Sequence, residues 1–122
     1  MTKKDIAKTF FKLAFSGNVE EAWEKYIHPD FRHHNPKVKD GPEALKQALK
    51  DFARIFPDNQ YEVKRVLEDG DFVTMHVGGR MKPEEEEESG IYIFRFDGDR
   101  IAEEWEVFWS IPTDSPNRDG AF

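Results

Sequence analysis

"RIAEEWEVFW", residues 100–109, is the stretch whose reading decides the fold. Its aromatic and branched content is that of a strand, and side chains of an extended chain alternate between two faces. Glu104, Glu106 and Phe108 then share one side, with Glu103, Trp105, Val107 and Trp109 on the other. Two carboxylates side by side on one face of so aromatic a strand imply either a solvated face or the wall of a pocket.

Working outward, "GIYIFRF" (90–96) and the turn "DGD" (97–99) precede this strand and make a hairpin with it. Before them, "QYEVKRVLE" (60–68), a second "DGD" (69–71) and "FVTMHVGGRM" (72–81) have the same form. The paired glycines of "VGGRM" predict a bulge or sharp bend. "KPEEEEES" (82–89) reads as a charged loop, its glutamates assigned to water. Earlier still the period is helical. Ile6, Phe10, Phe11 and Leu13 line one helix, which Thr2 and Asp5 begin as a capping box and which ends near Gly17. A second helix over about 19–27 buries Ala22, Trp23 and Tyr26. "FRHHNPKVKDG" is an extended segment running into a turn. Pro42 then opens a third helix with a stripe of Leu45, Leu49, Phe52 and Ile55, which Pro57 ends. Three helices followed by antiparallel strands make one α+β domain, residues 1–122, with helices on one side of a bent sheet and a hollow between them.

The 122 residues include eleven Phe, three Tyr and three Trp, while 35% of the chain is charged and 38% hydrophobic, so an aromatic interior lies within a well-solvated shell. A net charge of −7 without a basic stripe disfavours binding to a phosphate backbone, so no nucleic-acid partner is expected. No apolar run approaches the roughly 20 residues that cross a bilayer, so no membrane association is expected. "MTKKDIAKTFFKLAF" carries charges through an amphipathic pattern and has no small-residue cleavage site, unlike a secretory signal. With no cysteine there is neither disulfide nor thiolate chemistry, which suits a cytoplasmic location.

"YIHPDFRHHNP", "DGPEAL", His76, "IFR" at 93–95 and the acidic segment 103–106 together resemble the NTF2-like α+β cone. More closely they resemble its SnoaL-like branch, the polyketide cyclase and aldol-condensation group, over nearly the whole chain. The resemblance implies three N-terminal helices on a strongly curved antiparallel β-sheet enclosing a pocket, a small-molecule ligand, and a homodimer formed through the outer sheet face. It also implies that the family's acid/base residue, the last acid of an EHWD-like segment, is Glu106. The histidine of that segment becomes Glu104, an aspartate before "IFR" becomes Tyr92, and a polar residue near the strand's end becomes Trp109. His34, Asn35 and His76 match cavity positions.

On this reading Glu106 is the general base, with His76 and His34 as catalytic partners that shuttle a proton or hold an enolate. Asn35, Tyr92, Glu104, Phe94 and Phe108 form the substrate-binding wall. Two adjacent buried carboxyls raise each other's proton affinity, so one donates while the other accepts in proton abstraction beside a carbonyl. Such lyase or isomerase chemistry calls for no metal and no organic cofactor. A two-histidine, one-carboxylate metal site from His34, His76 and Glu106 is not demanded by any spacing. The competing reading is a non-catalytic binding or scaffold domain, which a redesigned relative would also be. It is favoured by the loss of the segment's histidine, and by solvent exposure of Glu104 and Glu106 should they pair only with Arg95 or Arg80.

Overall fold

The structure, a computed structural model, describes residues 1–122. Its elements run α1 (Lys3–Phe15), α2 (Val19–Tyr26), β1 (Ile27–His33), α3 (Pro42–Ile55), β2 (Glu62–Asp69), β3 (Phe72–Gly79), β4 (Glu88–Asp97) and β5 (Arg100–Ser110). Thr2 and Asp5 do form a capping box: the Asp5 N–H donates to Thr2 Oγ1 and the Thr2 N–H to Asp5 Oδ2, both at 3.1 Å. Pro42 stands in the first turn of α3, where its missing N–H costs nothing.

The five strands lie in one open sheet of order β1-β5-β4-β3-β2. From β2 to β5 every pairing is antiparallel, and both "DGD" turns place their glycine at positive φ, 59° at Gly70 and 63° at Gly98. The extended segment before "HNP" adds what the sequence reading left out: as β1 it pairs in parallel with β5, Ile27 opposite Ile101 and His33 opposite Glu104. The sheet is therefore mixed. A parallel partner arrives by a long crossover, and "IHPDFRH" has no period-two pattern to announce it. Register breaks between Val63 and Arg65, Arg95 and Phe96, and Ile27 and Arg32 bend the sheet around the helices.

The helices cover one face only. Val73, Met75 and Val77 of β3 point inward and are fully buried, as are Phe94, Phe96 and Ile101. Phe10 of α1 packs edge-on against Phe94, with ring centres 5.8 Å apart and planes at 88°. The opposite face carries Phe72 and Trp109, which remain exposed at 43% and 73%. The C-terminal segment folds onto that outer face, and Phe122 lies over Gly78 and beside His76.

The two glycines of "VGG" have separate reasons. At Gly78 an added Cβ would fall 2.3 Å from the Phe122 ring. Gly79, at φ 152°, passes so close to the Gln60–Tyr61 backbone that a Cβ would fall 2.2 Å from the Gln60 carbonyl oxygen. Gly79→Ala is expected to lower stability by about 1–3 kcal/mol, because backbone rather than a flexible side chain must move. Gly70→Asn, where nothing lies within 4 Å, is expected to cost much less. Denaturant titration of the two variants checks the contrast.

Candidate active site

Between α3, the segment around Asn35–Val38 and the inner face of β4 and β5 lies a cavity of about 510 Å³. Leu45, Leu49 and Phe52 of α3, Phe15 of α1 and Phe108 of β5 supply apolar wall. The α3 stripe is thus largely half-buried because it faces a hollow and not solid core. Of the four stripe residues only Leu45 is fully buried, and Ile55, expected inside, is 56% exposed.

The strand parity read from "RIAEEWEVFW" places its acids as expected. Glu106 and Phe108 line the cavity, and Glu104 lies deeper beside them, 4% exposed. Tyr92 is directly across from Glu106 on β4 and also lines the cavity. Asn35 reaches in from the loop after β1, and its Nδ2 donates to Glu106 Oε1 at 2.8 Å. The amide cannot turn round, because Asn35 Oδ1 already accepts from the Lys37 N–H at 2.9 Å. His33, almost buried, holds this turn from beneath: Nδ1 accepts from the Asn35 N–H and Nε2 donates to the Lys39 carbonyl.

Burial pushes the Glu104 carboxyl well above the usual carboxylate range, and its hydrogen bond with Glu106 and the charge there push it further. Glu104 Oε2 is buried without a hydrogen-bond partner in the protein. Burial without a partner favours the neutral carboxyl at Glu104. A hollow of about 20 Å³, room for about one water, borders the same carboxyl together with Phe94. Phe94 itself is 1% exposed and belongs to the core. Since the folded chain binds this proton more tightly than the unfolded one, Glu104 favours folding at low pH. Its contribution is lost as pH rises from the unfolded value near 4.5 through the raised folded value. Glu104→Gln is expected to remove that decline and to be more stable at pH 7 by about 1–3 kcal/mol, measured as denaturation midpoints across a pH series.

Tyr92 keeps its phenol proton far up the scale, through burial first and then the charges of Glu106 and Glu104. The residue lines the cavity, and a phenol that keeps its proton is a hydrogen-bond donor. Elsewhere on the cavity wall, Tyr61 donates a hydrogen bond to Glu88. Burial, then that bond, push the Tyr61 phenol up as well. Neither residue was picked out from the sequence. Glu88 had been assigned to water with its four neighbours, yet it begins β4 two residues before Gly90 and four before Tyr92, on their inward side. That parity was the available signal.

Two expected cavity residues are elsewhere. His76 is on the outer face with Phe72, since β3 turns Val73, Met75 and Val77 inward. Arg65 has only donors to offer, so His76 Nδ1 accepts from it and Nε2 donates to Ser89 Oγ at 2.9 Å. Burial, then the charges of Arg65 and Lys64, hold this imidazole below its usual value. His34 also faces outward. It stacks on Trp105 at 5.0 Å and 6°, and Nε2 lies 2.7 Å from Glu103 Oε2. Glu103 is held low by its bond to His34 and by Arg95, against the effect of burial. It is thus Glu103, not Glu104 or Glu106, that pairs with Arg95, at 3.1 Å. His34 and His76 are separated from Glu106 by the sheet, so the three do not converge on one ion.

Three solved structures are similar to this fold. An uncharacterized cystatin-fold protein from Novosphingobium aromaticivorans is 21% identical with a TM-score of 0.75, covering 88% of this chain and 98% of that one. A candidate polyketide cyclase from Acidithiobacillus ferrooxidans is 23% identical with a TM-score of 0.70, covering 88% of each chain. An NTF2-like protein of unknown function from Cytophaga hutchinsonii is 15% identical with a TM-score of 0.72, covering 89% and 91%. At such identities the likeness is one of fold alone, the α+β fold of three helices on a curved sheet. No match to a curated protein sequence was found. The family model for SnoaL-like polyketide cyclases matches residues 5–111, a span that includes Asn35, Tyr92, Glu104 and Glu106, and the chain belongs to that family.

Proposed function

We propose that the cavity processes a small or medium apolar carbonyl compound by acid–base catalysis of the lyase or isomerase kind, with Glu106 as the general base. The observation that carries this reading is the Glu106 carboxyl in an apolar wall, fixed by Asn35 and backed by the buried Glu104. Glu106 takes a proton from the carbon beside the carbonyl, and the electron pair of that C–H bond moves to the carbonyl oxygen as an enolate. The acid pair then holds two protons in place of one, and the negative charge has left it for the enolate oxygen. Tyr92 meets that charge as a donor, because its own proton is held too tightly to be lost. Isomerisation follows if Glu106 returns the proton to another carbon. An aldol-type ring closure follows if the enolate carbon attacks a second carbonyl of the same molecule, whose C=O π electrons move to its oxygen, and that oxygen takes the proton back from Glu106.

The test is deuterium incorporation from D2O into the methyl group of acetylnaphthalene, followed by NMR at neutral pH. Exchange faster than in buffer supports the reading. Binding without exchange would favour the second reading, a ligand-binding domain without chemistry, which the replacement of the family's histidine by Glu104 suggests.

A second copy of the chain is the partner we propose for the outer sheet face. Trp109 and Val107 of β5 and Phe72 of β3 stay exposed at 73%, 69% and 43%, apolar area that a partner would cover. Sedimentation should give twice the chain mass, and Trp109→Glu should return it to one. An unchanged single-chain mass for the parent protein would overturn this pairing. No helix is long and apolar enough to cross a membrane.

A further inference from the structure

The acid pair occupies one part of the cavity wall, and the Tyr61–Glu88 pair another. Along β4, Glu88 is four residues from Tyr92, roughly 13 Å at the rise of an antiparallel strand. Both side chains point inward, and the inward position between them is Gly90. Its missing Cβ is what admits the ring of Phe108, which would otherwise meet that atom at 2.4 Å. Phe108 in turn stands edge-on to Tyr61 at 6.3 Å and 90°, and to Tyr92 at 5.5 Å and 79°. The wall is thus polar, then aromatic, then polar.

We infer that Glu88, held by Tyr61, is a second recognition point of this cavity and reads a hydrogen-bond donor at the far end of a flat, apolar carbonyl substrate. The inference rests on the carbonyl chemistry proposed above and narrows its substrate class. Tyr61 has only one proton to give, and Glu88 Oε1 takes it, which fixes the carboxyl in place. The Tyr61 hydroxyl bonds Oε1 and leaves the other oxygen, Oε2, of a residue that lines the cavity. It is free to accept from a ligand. A carboxylate accepts and does not donate at neutral pH, so it favours a hydroxyl or phenol over a bare C–H edge and repels a second carboxylate. The aromatic strip over Gly90 suits a fused planar ring system lying between the two ends. The cavity acids also explain why a net negative chain would choose neutral substrates with a donor at that end.

The experiment uses the full chain and three probes: acetylnaphthalene with a hydroxyl, a hydrogen or a carboxylate on the ring position farthest from the acetyl group. Calorimetric binding to the parent protein should rank hydroxyl about tenfold tighter than hydrogen, as a bond to a charged acceptor gives, with the carboxylate weakest. Glu88→Gln should cut the hydroxyl preference to within about threefold and restore binding of the carboxylate, because an amide both donates and accepts. Equal binding of the hydroxyl and hydrogen probes by the parent protein overturns the inference without any variant. So does an unchanged ranking in Glu88→Gln, or no binding of any probe. Deuterium exchange into the acetyl group reads Glu106 separately: selective binding with no exchange keeps the second recognition point and removes the general base.

Discussion

Glu106→Gln should lower the rate of α-proton exchange by about 10²–10⁴-fold, the usual worth of a positioned base, while binding of the same ketone changes little. The reason lies in how the residue is held. Glutamine has the same length, and its amide oxygen can still accept from Asn35 Nδ2, whose orientation is fixed because Asn35 Oδ1 accepts from the Lys37 N–H. Geometry and cavity shape therefore survive, and only basicity is lost. Asn35→Ala leaves the base but frees it to rotate, so it should cost less in rate than Glu106→Gln. Glu104→Gln keeps a hydrogen-bond donor beside Glu106 and should retain more activity than either. Were Glu106→Gln to exchange as fast as the parent, the proton would be leaving by another route and Glu106 would be wall.

Phe94→Ala is expected to have the largest effect on stability, about 3–5 kcal/mol, lowering Tm by roughly 10–20 °C. Phe94 is 1% exposed and stands at the meeting point of the helices and the sheet, edge-on to Phe10 at 5.8 Å and 5.8 Å from Tyr92. Removing the ring leaves a cavity between elements that already fix one another, so little collapse can fill it. The same substitution removes the support under Glu104, its neighbour across the strands. Activity measured well below the new Tm should fall as well, though far less than in Glu106→Gln. Phe108→Ala provides the contrast: its ring is half-buried on a cavity wall, and its loss should weaken binding of a flat probe more than it lowers Tm. Thermal unfolding and calorimetric binding of the two variants separate a core aromatic from a lining one.

Which face of each strand turns inward explains where the sequence sufficed and where it did not. In "RIAEEWEVFW" parity alone put Glu104, Glu106 and Phe108 together, and the resemblance chose the inner face for them. In "FVTMHVGG" parity was equally plain, but the apolar set is Val73, Met75 and Val77, and that set claims the core and leaves His76 outside. The pull of a histidine at a family cavity position masked a burial preference that the residues themselves stated. His33 and His34 differ only by one step along β1, yet one locks the Asn35 turn and the other stacks on Trp105. No local pattern separates them, because β1 is placed by its parallel pairing with β5.

Helices, turns and alternation were determined by the sequence itself, since capping, glycine at positive φ and period are properties of neighbours along the chain. Only the tertiary structure decided that Glu88 leaves a run of five acids to meet Tyr61, and that Asn35 meets Glu106 across 71 positions of sequence. Those meetings depend on bulges and on a crossover strand, whose cost is repaid by contacts formed only after the whole sheet has closed over its helices.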